Sequence, residues 1–141
     1  MEQQKENTIE KAIEYIERHL PDSLTVDKIA EIAGYSKFYL SRIFKDYVGC
    51  SIYHYIQQRR LTESARHLIY SNMSITGISL ISGYDTQQAF TAAFKKVYQV
   101  SPRLYRAKNV FYPLLERHTR TTSLLFEANP IPFKKDTEMV A

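Results

Sequence analysis

The sequence predicts an all-α chain in which two helix-turn-helix subdomains are joined by a long connecting helix. Three observations predict it. Apolar residues recur at helical spacing along most of the chain. A helix, a tight turn and a second helix come round twice. Only four Gly and five Pro punctuate 141 residues, so long helices run uninterrupted. The expected boundaries are 1–50 for the first subdomain, 51–70 for the connecting helix, 71–108 for the second subdomain and 109–141 for a partly flexible extension.

Ile9, Ile13, Ile16 and Leu20 form one face of a first helix. Asn7 and Glu10 have capping-box spacing at its start, and Pro21 closes it. A second helix opens at Thr25, turns Val26, Ile29 and Ile32 inward, and stops at Gly34. A third opens at Ser36 with Leu40, Ile43, Phe44 and Tyr47 inward. Gly49-Cys50-Ser51 breaks the chain before a longer helix from about Ile52 to Tyr70, whose core contacts are Ile56, Leu61, Ala65 and Leu68.

The pattern then repeats. Thr25 to Tyr35 matches Ser74 to Tyr84 at an offset of 49. One inserted residue shifts the offset to 50, after which Leu40/Phe90, Phe44/Phe94, Lys45/Lys95, Ser51/Ser101 and Tyr55/Tyr105 correspond. Each copy is a short helix, a Gly-Tyr turn and a second helix capped by Ser36 or Thr86, which is the helix-turn-helix arrangement. A plain helical hairpin is the rival explanation. Two copies, each with a polar or basic second helix, weigh against it.

Charge is unevenly spread. Residues 1–34 hold four Lys/Arg and eight Asp/Glu, a net of −4. Residues 35–108 hold eleven Lys/Arg and three Asp/Glu, a net of +8. The middle therefore suits a polyanion. No apolar run approaches the roughly 18 residues of a membrane span, and residues 1–6 do not form a signal peptide. Cys50 is the single cysteine, so no internal disulfide and no cysteine zinc site is expected. His19, His54, His67 and His118 lack metal-ligand spacing. There is no phosphate-binding glycine loop and no nucleophile motif. The expectation is a cytoplasmic protein without metal, cofactor or enzymatic activity.

In a helix-turn-helix the second helix enters the major groove, with its N-terminal residues toward base edges. Removing the apolar stripe leaves Lys37, Phe38, Ser41, Arg42 and Lys45 exposed in the first copy. The second copy leaves Gln87, Gln88, Thr91, Ala92 and Lys95. Arg42 has the geometry for a guanine edge, Phe38 for a thymine methyl, and the two Gln for adenine. The expected base readers are Lys37, Phe38, Ser41, Arg42, Gln87, Gln88, Thr91 and Ala92. The expected phosphate contacts are Ser36, Lys45, Arg59, Arg60, Thr86, Lys95, Lys96 and Arg106, with Arg66, Arg103 and Lys108 as further cations of the same kind.

Residues from about 9 to 107 resemble the DNA-binding domain of AraC/XylS-type regulators. The resemblance rests on Gly34-Tyr35-Ser36-Lys37-Phe38-Tyr39-Leu40-Ser41-Arg42-Ile43-Phe44-Lys45, Tyr55-Ile56-Gln57-Gln58-Arg59-Arg60-Leu61 and Ser101-Pro102-Arg103-Leu104-Tyr105-Arg106. Ser36-Lys37-Phe38 and Asp85-Thr86-Gln87-Gln88, with no large attached domain, are most similar to the small MarA/SoxS/Rob-like subgroup. The resemblance implies a monomer on double-stranded DNA, recruitment of RNA polymerase, and control of stress or drug-resistance genes. Phe38 stands where relatives often carry Trp, and Ala92 where close relatives carry Arg. Unequal half-sites follow as an expectation, with the first copy the tighter reader.

Glu10, Glu14, Glu17, Asp22, Asp27 and Glu31 read first as the solvated face of two helices and second as a polymerase-facing surface. Phe111-Tyr112-Pro113-Leu114-Leu115 is a candidate docking segment, and residues 119–123 and 129–132 read as loop. Two rival functions stay open: a repressor or architectural DNA-binding protein, and a helical protein-interaction module.

Overall fold

The computed structural model describes residues 2–112. Among them are seven helices: α1 (Glu2–Arg18), α2 (Val26–Ala33), α3 (Lys37–Val48), α4 (Ile52–Tyr70), α5 (Ile75–Ile81), α6 (Gln87–Tyr98) and α7 (Pro102–Lys108). The all-α expectation is met. The described chain forms two units, residues 2–57 and 58–112, and α4 contributes to both. Pro113 to Leu115, His118, 119–123 and 129–132, for which the sequence raised expectations, lie outside the described residues.

Side-chain caps start most of these helices. Thr25, Ser36, Ser74, Thr86 and Ser101 are extended and accept from the amides of Lys28, Tyr39, Gly77, Ala89 and Leu104. Each such cap is worth about 1 kcal/mol. Ser51 serves α4 in the same way, accepting from the His54 amide at 3.1 Å. Gly34 (φ 83°) and Gly49 (φ 97°) end α2 and α3 in the left-handed region that favours glycine. In the second copy the residue matching Gly49 is Gln99, which takes the same region at φ 68°.

In the first unit α1 packs on α2 and α3, and α2 packs on α3. Ile9, Ile13, Ile16, Ile29, Leu40, Phe44 and Tyr55 are buried there. In the second unit α5 packs on α6 and α6 on α7. Its core joins Leu61, Ala65, Leu68, Ile78, Phe90, Phe94, Tyr98 and Tyr105. The internal repeat is a repeat of core chemistry. Phe44 meets Tyr55 edge-on at 5.6 Å, and their counterparts Phe94 and Tyr105 meet edge-on at 5.4 Å. Such pairs add about 1 kcal/mol to the burial of the rings.

After α7 the chain returns to the second unit. The Tyr98 and Tyr105 hydroxyls each donate to the Tyr112 carbonyl at 3.3 Å, and the Tyr112 amide donates to the Tyr105 hydroxyl at 3.0 Å. Phe111 and Tyr112 therefore dock as the sequence suggested.

Several expectations are corrected. α1 begins at Glu2, so Asn7 is inside the helix and forms no capping box; it accepts from Gln3 Nε2 at 3.3 Å. Residues 2–6 are good helix formers, and the Tyr47 hydroxyl donates to Glu2, holding the first turn. Ile32 is 47% exposed rather than inward. The covered stripe of α2 runs through Val26, Ile29, Ala30 and Ala33, which puts Ile32 beside it. Tyr47 is half-buried and Val48 takes the core position. Ser101 and Pro102, at N-cap and N1, start a separate α7 that the sequence reading had not marked out.

Candidate nucleic-acid interface

The turns of the two copies are built alike. The Gly34 and Tyr35 amides both donate to the Ala30 carbonyl, at 2.9 and 3.1 Å. In the second copy Tyr84 donates to the Ser79 carbonyl at 3.1 Å, and Gly83 donates to Leu80 at 3.2 Å. The Arg60 guanidinium lies over Gly83, where a methyl would sit 2.8 Å from Cζ. These turns swing α3 and α6 away from α2 and α5. Leu40, Ile43, Phe44 and Val48 anchor α3, and Phe90, Phe94 and Tyr98 anchor α6.

The opposite faces carry the expected side chains. On α3, Lys37, Phe38, Ser41, Arg42 and Lys45 are exposed, with Phe38 79% open to solvent. On α6, Gln87, Gln88, Ala92, Lys95 and Lys96 are exposed and Thr91 is half-buried. Ser36 and Thr86 spend an oxygen lone pair on capping and keep a hydroxyl proton to donate. Arg103 and Lys108 on α7 are exposed.

Three side chains belong to this surface that the sequence did not assign to it. Tyr39 lies under the Arg42 guanidinium, 5.5 Å from ring centroid to Cζ, which steadies a group otherwise free in solvent. Asp27 pairs with Lys37 at 3.6 Å. The Thr76 hydroxyl donates to Gln87 Oε1 at 2.5 Å. The repeat alignment was the available signal for the last two, because it places Asp27 opposite Thr76 and Lys37 opposite Gln87.

Four predicted cations are engaged inside the protein. Arg59 is only 4% exposed and bonds Glu63 at 3.0 Å, so it is not placed to reach a phosphate. Its face of α4 is the covered face. Arg106 donates from Nε to the Leu68 carbonyl at 2.9 Å and from a terminal nitrogen to the Ser71 carbonyl at 3.3 Å. It thus satisfies carbonyls at the C-terminus of α4, where a cation is favoured. Arg66 reaches Glu63 and covers the Phe111 ring at 4.7 Å. Arg60 is half-buried over the Gly83 turn.

Chemistry of other kinds finds little support in the described residues. They contain no group of three His, Cys, Asp or Glu arranged to hold a metal. Burial pushes the Cys50 thiol up to about 11, so it is not the thiolate a nucleophile needs. No described helix is long and apolar enough to cross a membrane.

A helix-turn-helix domain family matches residues 29–108. The chain is 39% identical over 103 residues to the probable transcription factor PqrA of Proteus vulgaris, covering 72% of this chain and 84% of that one. It is 36% identical over 104 residues to the HTH-type transcriptional activator AarP of Providencia stuartii, covering 74% and 77%. It is 46% identical over 92 residues to the right origin-binding protein of Escherichia coli strain K12, covering 65% of this chain but 32% of that longer one. Among solved structures, it is similar to the C-terminal domain of AraT, a response regulator from Geobacillus stearothermophilus, with TM-score 0.70 and 33% identity over 81% of this chain and 95% of that one. An AraC-type regulator from Chromobacterium violaceum also gives TM-score 0.70, at 27% identity over 74% and 94%. With its paired helix-turn-helix units and these relatives, the chain belongs to the AraC-type family of helix-turn-helix DNA-binding transcription regulators, in the group of Rob-, AarP- and PqrA-like proteins.

Proposed function

We propose that this chain is a sequence-specific transcription activator that inserts α3 and α6 into successive major-groove segments of one DNA site. The observation that carries this reading is the matched exposure of the two second helices. Each presents polar or cationic side chains on one face while its other face is anchored in a core. On α3, Arg42 would read a guanine edge and Phe38 a thymine methyl, with Lys37 and Ser41 beside them. On α6, Gln87, Gln88, Thr91 and Ala92 form the corresponding set. Lys45, Lys95, Lys96 and Arg103, with the hydroxyls of Ser36 and Thr86, would hold phosphates and set the register.

The proposal has a monomer bind with α4 as the connecting helix. Successive groove segments on one DNA face are roughly 34 Å apart. One chain carrying two unlike units needs no palindrome. Activation agrees with the similarity to AarP, named as an activator; action through RNA polymerase, in the cytoplasm and on stress or antibiotic-resistance promoters, completes the proposal. The acidic residues of α1 and α2 other than Asp27, which pairs with Lys37 on the proposed DNA face, are offered as the polymerase-facing surface.

The test begins with selection of bound sequences from random DNA. The recovered site is then placed upstream of a promoter and transcribed with purified polymerase. An asymmetric site, a raised transcript yield and an affinity that falls steeply with salt are expected. The salt slope should be about −0.9 per phosphate contacted. A lowered yield would make the protein a repressor, and salt-insensitive or absent DNA binding would overturn the reading altogether.

A further inference from the structure

Gln87 opens α6, and Thr76 lies in the first turn of α5. Both side chains are exposed, yet they are joined by a 2.5 Å hydrogen bond in which the Thr76 hydroxyl donates to Gln87 Oε1. A side-chain amide that reads adenine uses both of its ends: the oxygen accepts from N6 and the nitrogen donates to N7. Here the oxygen end is turned toward α5. Oε1 keeps a second lone pair, but the bond holds that oxygen toward α5 and leaves Nε2, a donor, as the end that leads toward a ligand.

The first copy couples the corresponding positions with different chemistry. Asp27, in the first turn of α2, pairs with Lys37, the first residue of α3, at 3.6 Å. The shared geometry of the motif brings these two positions together in both units. The residue types then decide what the first residue of each second helix presents: an ammonium held by a carboxylate in one copy, an amide held by a hydroxyl in the other.

We infer that Thr76 is a specificity-determining positioning residue, which holds the Gln87 amide with its nitrogen outward so that this position favours guanine, with two acceptors on its edge, or thymine O4 over adenine, which offers a leading donor only N7. The inference rests on the proposed groove-reading role of α6 and replaces the adenine preference that Gln87 alone suggests. Thr76 itself touches no base; it acts through Gln87.

The test uses the full chain and random-DNA selection with wild type, Gln87→Ala, Thr76→Val, Thr76→Ser and the double variant Thr76→Val/Gln87→Ala. Thermal melting of each identifies folded variants. Gln87→Ala should flatten one base position and so identify the base that Gln87 reads. At that position wild type should favour guanine or thymine. Thr76→Val, which keeps the shape and loses the hydroxyl, should shift the ratio toward adenine by roughly fivefold or more. Thr76→Ser should restore the wild-type ratio, and the double variant should match Gln87→Ala. Adenine in the wild-type profile, a Thr76→Val profile that superimposes on wild type, a serine variant that behaves as valine, or no position flattened by Gln87→Ala would each overturn the inference. In any of those cases an otherwise specific wild-type site leaves the proposed activator function standing. A wild type that selects no sequence removes both.

Discussion

Arg42 and Arg106 carry the same guanidinium into opposite circumstances. Arg42 stands on the exposed face of α3 over the Tyr39 ring, with its donor fork toward solvent. Arg106 is fastened to the Leu68 and Ser71 carbonyls. Their replacement by Ala should therefore be read by different instruments. Arg42→Ala is expected to leave the melting temperature near wild type and to cost about 1–3 kcal/mol of discrimination at one or two base positions. Equal losses on the selected site and on random DNA would show that Arg42 does not read bases. Arg59→Ala is expected to act on stability instead. It removes a nearly buried guanidinium from Glu63, which is partly exposed and keeps Arg66, and should cost about 1.5–3 kcal/mol in urea unfolding. Its salt slope on DNA should equal that of wild type; a slope lowered by about one contact would return Arg59 to the phosphate set. The type and spacing of these residues were legible in the sequence. Their surroundings were not, because any of the cations could equally have faced water.

The same helix-turn-helix element is built twice with different tolerances. In the first copy Gly34 holds φ at 83° with nothing near the place of a missing methyl. Gly34→Ala should thus lose only the left-handed backbone preference, about 1–2 kcal/mol. At Gly83 a methyl would also meet the Arg60 guanidinium, the far end of a long side chain that can move aside. Gly83→Ala should cost about the same in stability and, in addition, displace Arg60. Gln99 offers the converse. It sits at φ 68° where the first copy has Gly49, and its side-chain nitrogen bonds the Lys96 carbonyl at 2.9 Å. Gln99→Gly should relieve the backbone and lose that bond, for a net gain of about 0.5 kcal/mol. Urea unfolding of the three variants checks the signs; a neutral Gly34→Ala would mean that the turn relaxes out of the left-handed region.

At the scale of the molecule, three groups among the described residues should lower stability at alkaline pH. The hydrogen bond to Glu2 pushes the Tyr47 hydroxyl up to about 12, from 10.0. Burial pushes Tyr105 up to about 12 from 10.0 and Cys50 up to about 11 from 9.0. Each is raised in the folded protein, so the unfolded chain releases its protons first as pH climbs. Their contribution is then complete below pH 9 and is lost progressively toward pH 12. The urea midpoint should be level between pH 7 and 8.5 and fall through pH 9 to 12, with Cys50→Ser removing the earliest part of the fall. A midpoint constant to pH 11 would mean that these groups titrate alike in both states.

What the sequence determined by itself is what local chemistry decides. Thr25, Ser36 and Thr86 start helices because a cap needs only the amide three residues on. The 49–50 residue repeat revealed two cores of one plan because one aromatic pair, Phe44 with Tyr55 and Phe94 with Tyr105, recurs in it. The exposed faces of α3 and α6 followed from helical periodicity alone. Tertiary structure decided everything that depends on which distant residue arrives. Arg106 meets carbonyls 35 and 38 positions earlier, the Tyr47 hydroxyl crosses 45 positions to Glu2, and Thr76 meets Gln87 across the turn at a separation of 11. Periodicity tells which face of a helix is covered, but the covering partner is chosen by packing between elements, and that choice turned Arg59 and Arg106 inward and the Gln87 amide oxygen toward α5.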